Sequence, residues 1–119
     1  MRILISGAGM AGLSAGITLG ATGHHVTIVE RADHLRVNGS PIDIRGEAID
    51  AARRMGILDQ VRQRQVTMTA RTRFVDADGT VVAELPGDEV GDSADDVEIP
   101  REDLAHVLRD ALGATTSLV

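Results

Sequence analysis

Gly7-Ala-Gly9-Met-Ala-Gly12 sets three glycines in the spacing G-x-G-x-x-G, and Glu30 follows 18 residues after the last of them. Glycines at this spacing suit one task, which is to bring a backbone up against a pyrophosphate. The first makes a tight turn out of a strand, the second lets the main chain approach the phosphates, and the third allows a helix to pack closely on a strand. Unpaired N–H groups and the positive end of a helix dipole then meet the phosphate oxygens. A carboxylate at the position of Glu30 can accept hydrogen bonds from the hydroxyls of an adenosine ribose. It would also repel a 2′-phosphate, which argues against NADP at this loop. The constellation therefore points to the ADP half of a dinucleotide, with Gly7, Gly9, Ala11 and Gly12 as the candidate contacts in the loop. NAD and FAD share that half, and the loop alone does not separate them.

A glycine pattern gains meaning from the elements around it. Arg2-Ile-Leu-Ile-Ser6 is short, apolar and β-branched, as a buried parallel strand would be. A helix is expected from about Met10 to Thr22, with Gly23 as its left-handed cap. Gly12, Gly16 and Gly20 fall on one face of that helix, each costing about 0.5–1 kcal/mol relative to alanine, so a close approach to a strand is expected there. His25 to Val29 forms the second strand and ends at Glu30. A polar stretch runs from Arg31 to Arg45, with Asn38-Gly-Ser-Pro41 as its turn. Gly46 to Met55 reads as a helix with Ile49, Ala52 and Met55 on one side, and Leu58 to Arg64 as a further turn or two.

Asp76-Ala-Asp-Gly79 between the alternating runs Thr69 to Val75 and Thr80 to Leu85 predicts a β-hairpin. Residues 86–98 hold six acids and no base, and read as a solvated loop. Leu104, Val107, Leu108, Ala111 and Leu112 mark a last helix, and Thr115 to Val119 begins another strand. The fold class is thus α/β, a Rossmann-like βαβ unit with an incomplete three-stranded parallel sheet, an inserted helix and a β-hairpin. Residues 1–119 read as one truncated dinucleotide-binding domain. In a doubly wound sheet of order 3-2-1-4 the first strand is central. The fourth would come from sequence beyond Val119, leaving Ile3 to Ile5 on an open edge that invites self-association.

Bulk properties narrow the function further. The chain has 119 residues, a net charge of −6, twelve basic residues that are all arginine, and one aromatic, Phe74. An acidic chain without stacking platforms is a poor nucleic-acid binder. It has no cysteine, which excludes disulfides and thiolate chemistry and suits the cytoplasm. Ile3 to Gly23 carries no charge and follows Arg2, but glycines interrupt it throughout, so neither a secretory core nor a membrane span is expected. His24, His25, His34 and His106 lack metal-ligand spacing. No residue stands out as a general acid, base or nucleophile.

Gly7 to Gly12, Val29-Glu30-Arg31, the run Ile42 to Asp59 and Ile99-Pro-Arg-Glu-Asp-Leu104 together resemble the amino-terminal part of the FAD-dependent aromatic hydroxylases, the p-hydroxybenzoate hydroxylase family. The resemblance covers nearly the whole chain. It implies FAD as cofactor, with NAD(P)H as reductant and oxygen consumed to hydroxylate an aromatic or polyketide-like molecule. It also implies that Glu30 binds the ribose and that Arg31 lies beside the adenosine. Arg36, Asp43 and Arg45 would border the extended cofactor toward the flavin, and Arg101 would touch its central region. A cation at a helix start runs against the dipole preference, which adds weight to Arg101. Members are roughly three times this length, and their later Asp-Gly and Gly-Asp motifs, flavin pocket and substrate-facing sheet have no counterpart here. Asp78-Gly79 sits in the hairpin turn and is not the later motif. Two other functions remain open: a small NAD-binding Rossmann module, and a non-catalytic remnant that packs on a partner.

Overall fold

β-branched and apolar residues form the sheet. In a computed structural model, which describes residues 1–35, 39–66, 72–85 and 95–119, β1 (Arg2–Ser6) and β2 (His25–Val29) run parallel in the register Ile3↔Val26 and Ile5↔Ile28. β7 (Thr116–Leu118) adds on the far side of β2, also parallel, with Val26↔Thr116 and Ile28↔Leu118. The order β1-β2-β7 puts β2 in the centre and β1 at an edge. The expected three-stranded parallel sheet is present, and so is the open edge at β1 among the described residues.

Between β1 and β2 lies α1 (Met10–Ala21), ended by Gly23 at φ +87°. Its glycine face does what the sequence suggested. A Cβ on Gly12 would collide with the Gly7 carbonyl oxygen, one on Gly16 would lie 2.7 Å from Ile28 Cδ1, and one on Gly20 would lie 2.6 Å from Thr116 Oγ1. The closeness is used: the Thr116 and Thr115 hydroxyls donate to the Gly16 and Gly20 carbonyls at 3.1 and 3.2 Å. α4 (Arg101–Asp110) packs beside α1 on the same face, and Leu112 after it reaches toward Gly16. Leu13, Ile17, Ile28, Leu104 and Leu108 bury their side chains in this layer, each stabilising by about 1.5–3 kcal/mol. The opposite face of the sheet is bare among the described residues, with Leu4 70% exposed.

A second layer joins on at α2 (Glu47–Arg54) and α3 (Leu58–Gln63), separated by Gly56 at φ +72°. Ile49, Ala52, Leu58 and Val61 are buried in the common core. Two features depart from the sequence reading. Ile42–Ile44, placed in a polar stretch, forms strand β3, and Val97–Ile99, whose residues 97 and 98 were placed in the acidic loop, forms β6. They pair antiparallel, Ile42↔Ile99 and Ile44↔Val97, burying Ile44, Val97 and Ile99 while Asp43 and Glu98 face away from the core. Three-residue strands fall below the usual length of a sequence signal, and their partners are far apart in the chain.

The hairpin forms as expected, from β4 (Thr72–Val75) and β5 (Val81–Leu85). Asp76 shapes its turn by accepting from the N–H groups of Asp78 and Thr80, both at 2.9 Å, and Gly79 takes φ +81°. Residues 69–71 of the first expected run and 86–94 of the acidic segment lie outside the described residues.

Candidate functional site

Three glycines of the loop are glycine for three different reasons. Gly7 leaves β1 at φ +101°, a conformation that side chains disfavour, and its N–H donates to the Val29 carbonyl at 2.7 Å. Gly12 is required by packing, since any Cβ would strike Gly7. Gly9 has neither reason. Its φ is −74°, which any residue adopts, and a Cβ there would meet no protein atom within 4 Å. What that Cβ would enter is a cleft of about 410 Å³, lined in part by Gly7, Gly9, Glu30, Arg31 and Arg101.

Backbone donors collect at this cleft. Gly9 is the N-cap of α1 and accepts the first helical bond from Leu13 at 3.0 Å. The helix has no side-chain cap and no acid in its first turn, so the N–H groups of Met10, Ala11 and Gly12 keep no intrahelical partner. Together with the helix dipole they form a site for an anion. Ala11 contributes only through this backbone, because its side chain is exposed and does not line the cleft.

Glu30 stands across the cleft at the end of β2. One carboxylate oxygen accepts from the Ala8 N–H at 2.7 Å and the other from the Ala32 N–H at 3.0 Å. These bonds, Ala32 first and Ala8 next, hold the carboxyl below its ordinary value, so it is ionised at neutral pH. A carboxylate offers about four lone-pair positions, and two remain for ligand hydroxyls. Nearby, Asp33 pairs with His34 at 2.5 Å and is held low chiefly by that hydrogen bond.

Arg101 enters from the first position of α4, after Pro100. Its stem lies against the Gly39 backbone so closely that a Cβ on Gly39 would sit 2.6 Å from Arg101 Nε. The Nε is buried and has no hydrogen-bond partner among the described residues. An unsatisfied buried guanidinium nitrogen costs free energy, and the Arg101 side chain also places a positive charge on the cleft lining, where an anion would be favoured.

The cleft thus gathers Gly7, Gly9, Glu30, Arg31 and Arg101, with Gly12 packed behind the loop. Asp43 and Arg45 are elsewhere: they pair with each other at 3.1 Å on β3 and just after it, Arg45 also approaches Asp96 at 3.8 Å, and neither lines the cleft. Arg36 lies outside the described residues. Sequence reasoning did not assign Ala8, Met10, Ala32, His34, Leu35 or Ala105 to the site, and these complete the lining. Ala105, four residues after Arg101 and so on the same face of α4, was open to discovery by helical spacing.

Strand, glycine loop, helix and acid-tipped second strand define a dinucleotide-binding α/β unit. Comparison with known proteins agrees: residues 2–81 match the pyridine nucleotide-disulphide oxidoreductase family, to which the chain belongs. It is 39% identical over 109 residues to a flavin-dependent monooxygenase of Legionella longbeachae, a match covering 91% of this chain and 28% of that protein. Identity to the flavin-dependent monooxygenase eupH of a Phoma species is 37% over 115 residues, covering 93% and 26%. Among solved structures, tetracycline destructase Tet(51) superimposes with a TM-score of 0.76 at 38% identity, covering 98% of this chain and 29% of that one. The resemblance seen in the sequence therefore holds, and it is to the FAD-binding portion of flavin-dependent monooxygenases. The chain spans just over a quarter of the length of these relatives.

Among the described residues, no helix is long and apolar enough to cross a membrane.

Proposed function

We propose that the 119 residues bind FAD through the 7–12 loop, as the amino-terminal portion of a cytoplasmic flavin-dependent monooxygenase acting on an aromatic or polyketide-like small molecule with NAD(P)H as reductant. The observation that carries this reading is Gly9, which neither backbone strain nor protein packing requires to be glycine and which lines the cleft. The Arg101 side chain on the lining of the same cleft adds a cation where the phosphates or the neighbouring chain of FAD would lie.

In this reading each residue has a task. Gly9 and the first turn of α1 take the pyrophosphate, Glu30 takes the ribose hydroxyls, Arg31 flanks the adenosine, and Arg101 neutralises phosphate charge. The family resemblance assigns Asp43 and Arg45, which lie outside this cleft, to the route toward the flavin. Bound FAD supplies the redox chemistry with oxygen, and the protein supplies binding and orientation. The described residues offer no wall for the flavin ring or the substrate in this cleft, so the chain alone turns over nothing. It behaves as one incomplete domain whose open β1 edge favours self-association.

The test is to titrate the purified chain with FAD, ADP and NAD in a calorimeter, with light scattering for its mass and an assay of NAD(P)H-dependent product. FAD should bind, and no product should form. Binding of NAD with no binding of FAD would favour a small NAD-binding module instead.

A further inference from the structure

The glycine loop and the end of β2 are tied together twice. One tie is main chain, the Gly7 N–H to the Val29 carbonyl at 2.7 Å. The other is a side chain: Glu30 reaches back to the Ala8 N–H at 2.7 Å while its second oxygen holds the Ala32 N–H at 3.0 Å. Glu30 is itself fixed in the sheet, its N–H donating to the Val119 carbonyl at 2.8 Å. Ala8, between the two glycines, has its side chain buried. The carboxylate thus occupies one loop donor and leaves those of Met10, Ala11 and Gly12 for a phosphate. Without it, the loop between Gly7 and Gly9 loses its side-chain tether.

From this geometry we propose that Glu30 is a positioning residue for the phosphate loop: it holds Ala8, and with it Gly7 to Gly9, in the phosphate-accepting conformation before any ligand arrives. This role rests on the dinucleotide reading and is separate from a contact to the ribose. It makes a distinctive demand, that Glu30 matters even to a nucleotide with no ribose hydroxyls. The lowered pKa of the carboxyl agrees, since the charged form is the one both N–H groups stabilise.

The experiment uses the 119-residue chain as parent, Glu30→Ala and Glu30→Gln. Each is titrated with ADP and with 2′,3′-dideoxy-ADP, and amide hydrogen exchange is followed at Ala8 and Ile28 without ligand. Glu30→Ala should weaken dideoxy-ADP about ten-fold and speed exchange at Ala8 by a similar factor, with exchange at Ile28 changed much less than at Ala8. Glu30→Gln should fall between, because it keeps one acceptor but turns an NH2 toward the other backbone N–H. A Glu30→Ala variant that loses ADP affinity while keeping parental dideoxy-ADP affinity and parental Ala8 exchange would overturn the proposal, leaving a ribose contact only. Exchange accelerated as much at Ile28 as at Ala8, in Glu30→Gln as well, would also overturn it in favour of a global role. If the parent binds neither nucleotide, the dinucleotide reading fails, and the exchange data still decide whether the tether exists.

Discussion

The βαβ unit around the glycine loop and the hairpin at 72–85 are both built from short local signals, yet they reach opposite ends of burial. In the first, every glycine on the α1 face has a neighbour that a Cβ would displace, and Leu13 and Ile28 are fully buried. In the second, Phe74, Val75, Val81 and Val82 are all exposed, Phe74 by 51%, and an exposed Arg73–Glu84 pair bridges the strands at 2.7 Å. A two-stranded ribbon without a covered face is marginal in water. The βαβ unit is therefore held by its own packing, whereas the hairpin is shaped by its turn and its cross-strand hydrogen bonds. Substitutions in the two regions should separate by kind as well as by size.

The largest effect is expected at Gly12. Gly12→Val drives two methyl groups toward the Gly7 carbonyl, a backbone atom that cannot swing aside. The loss should exceed the about 1–3 kcal/mol usual for overpacking, and thermal unfolding by circular dichroism should show no cooperative transition. A cooperative transition near the parental temperature would mean that the α1 face is looser than the geometry indicates.

Arg101 comes next and should split binding from stability. Arg101→Ala removes a buried Nε that has no hydrogen-bond partner among the described residues, and a cation from a helix start. FAD affinity should fall by about ten- to a hundred-fold, the worth of one charge-assisted hydrogen bond, while the apoprotein melts at the same temperature or slightly higher. A marked drop in apoprotein melting temperature would make the arginine a structural strut against Gly39.

A smaller effect follows from acid. Glu30 has a depressed folded pKa, so its contribution to stability is complete above its ordinary value of about 4.5 and is lost as the pH falls through the lower folded value. The melting-temperature difference between parent and Glu30→Gln should be flat from about pH 6 to 8 and shrink below about pH 4.5. Asp33, also lowered, is common to both proteins and cancels. A difference that shrinks already near neutrality would assign the effect to another group.

The smallest effects belong to the hairpin. Phe74→Ala and Val82→Ala should change stability by less than about 0.5 kcal/mol in denaturant unfolding, as surface substitutions do. A cost of 2 kcal/mol or more, as for truncation in a packed core, would erase the contrast between the two regions.

The same contrast explains what the sequence disclosed. Elements with local signals were legible: the strand–loop–helix at Gly7, the Gly23 helix end, the Asp76–Gly79 turn, and the 3.6-residue spacing of Leu104 to Leu112. The β3–β6 pair was not, because Ile42–Ile44 and Val97–Ile99 are three-residue strands whose stability comes from each other across the fold. In the site, the loop, Glu30, Arg31 and Arg101 could be named from motif, strand end and resemblance. The bond from the Ala8 N–H to Glu30 could not, because nothing in the residue types distinguishes a carboxylate waiting for ribose from one already holding the loop. Nor could the absence of Asp43 and Arg45 from the cleft lining be read, since it depends on where β3 docks.

Gly9 tests the central claim most directly, because protein geometry leaves it free to be any residue. Calorimetric titration of the parent chain and Gly9→Val with FAD, alongside their thermal melts, is the measurement. The account predicts saturable binding by the parent, no detectable binding by Gly9→Val, and closely similar melting temperatures. Equal FAD affinity in the two proteins would contradict it and remove the 7–12 loop from the cofactor site.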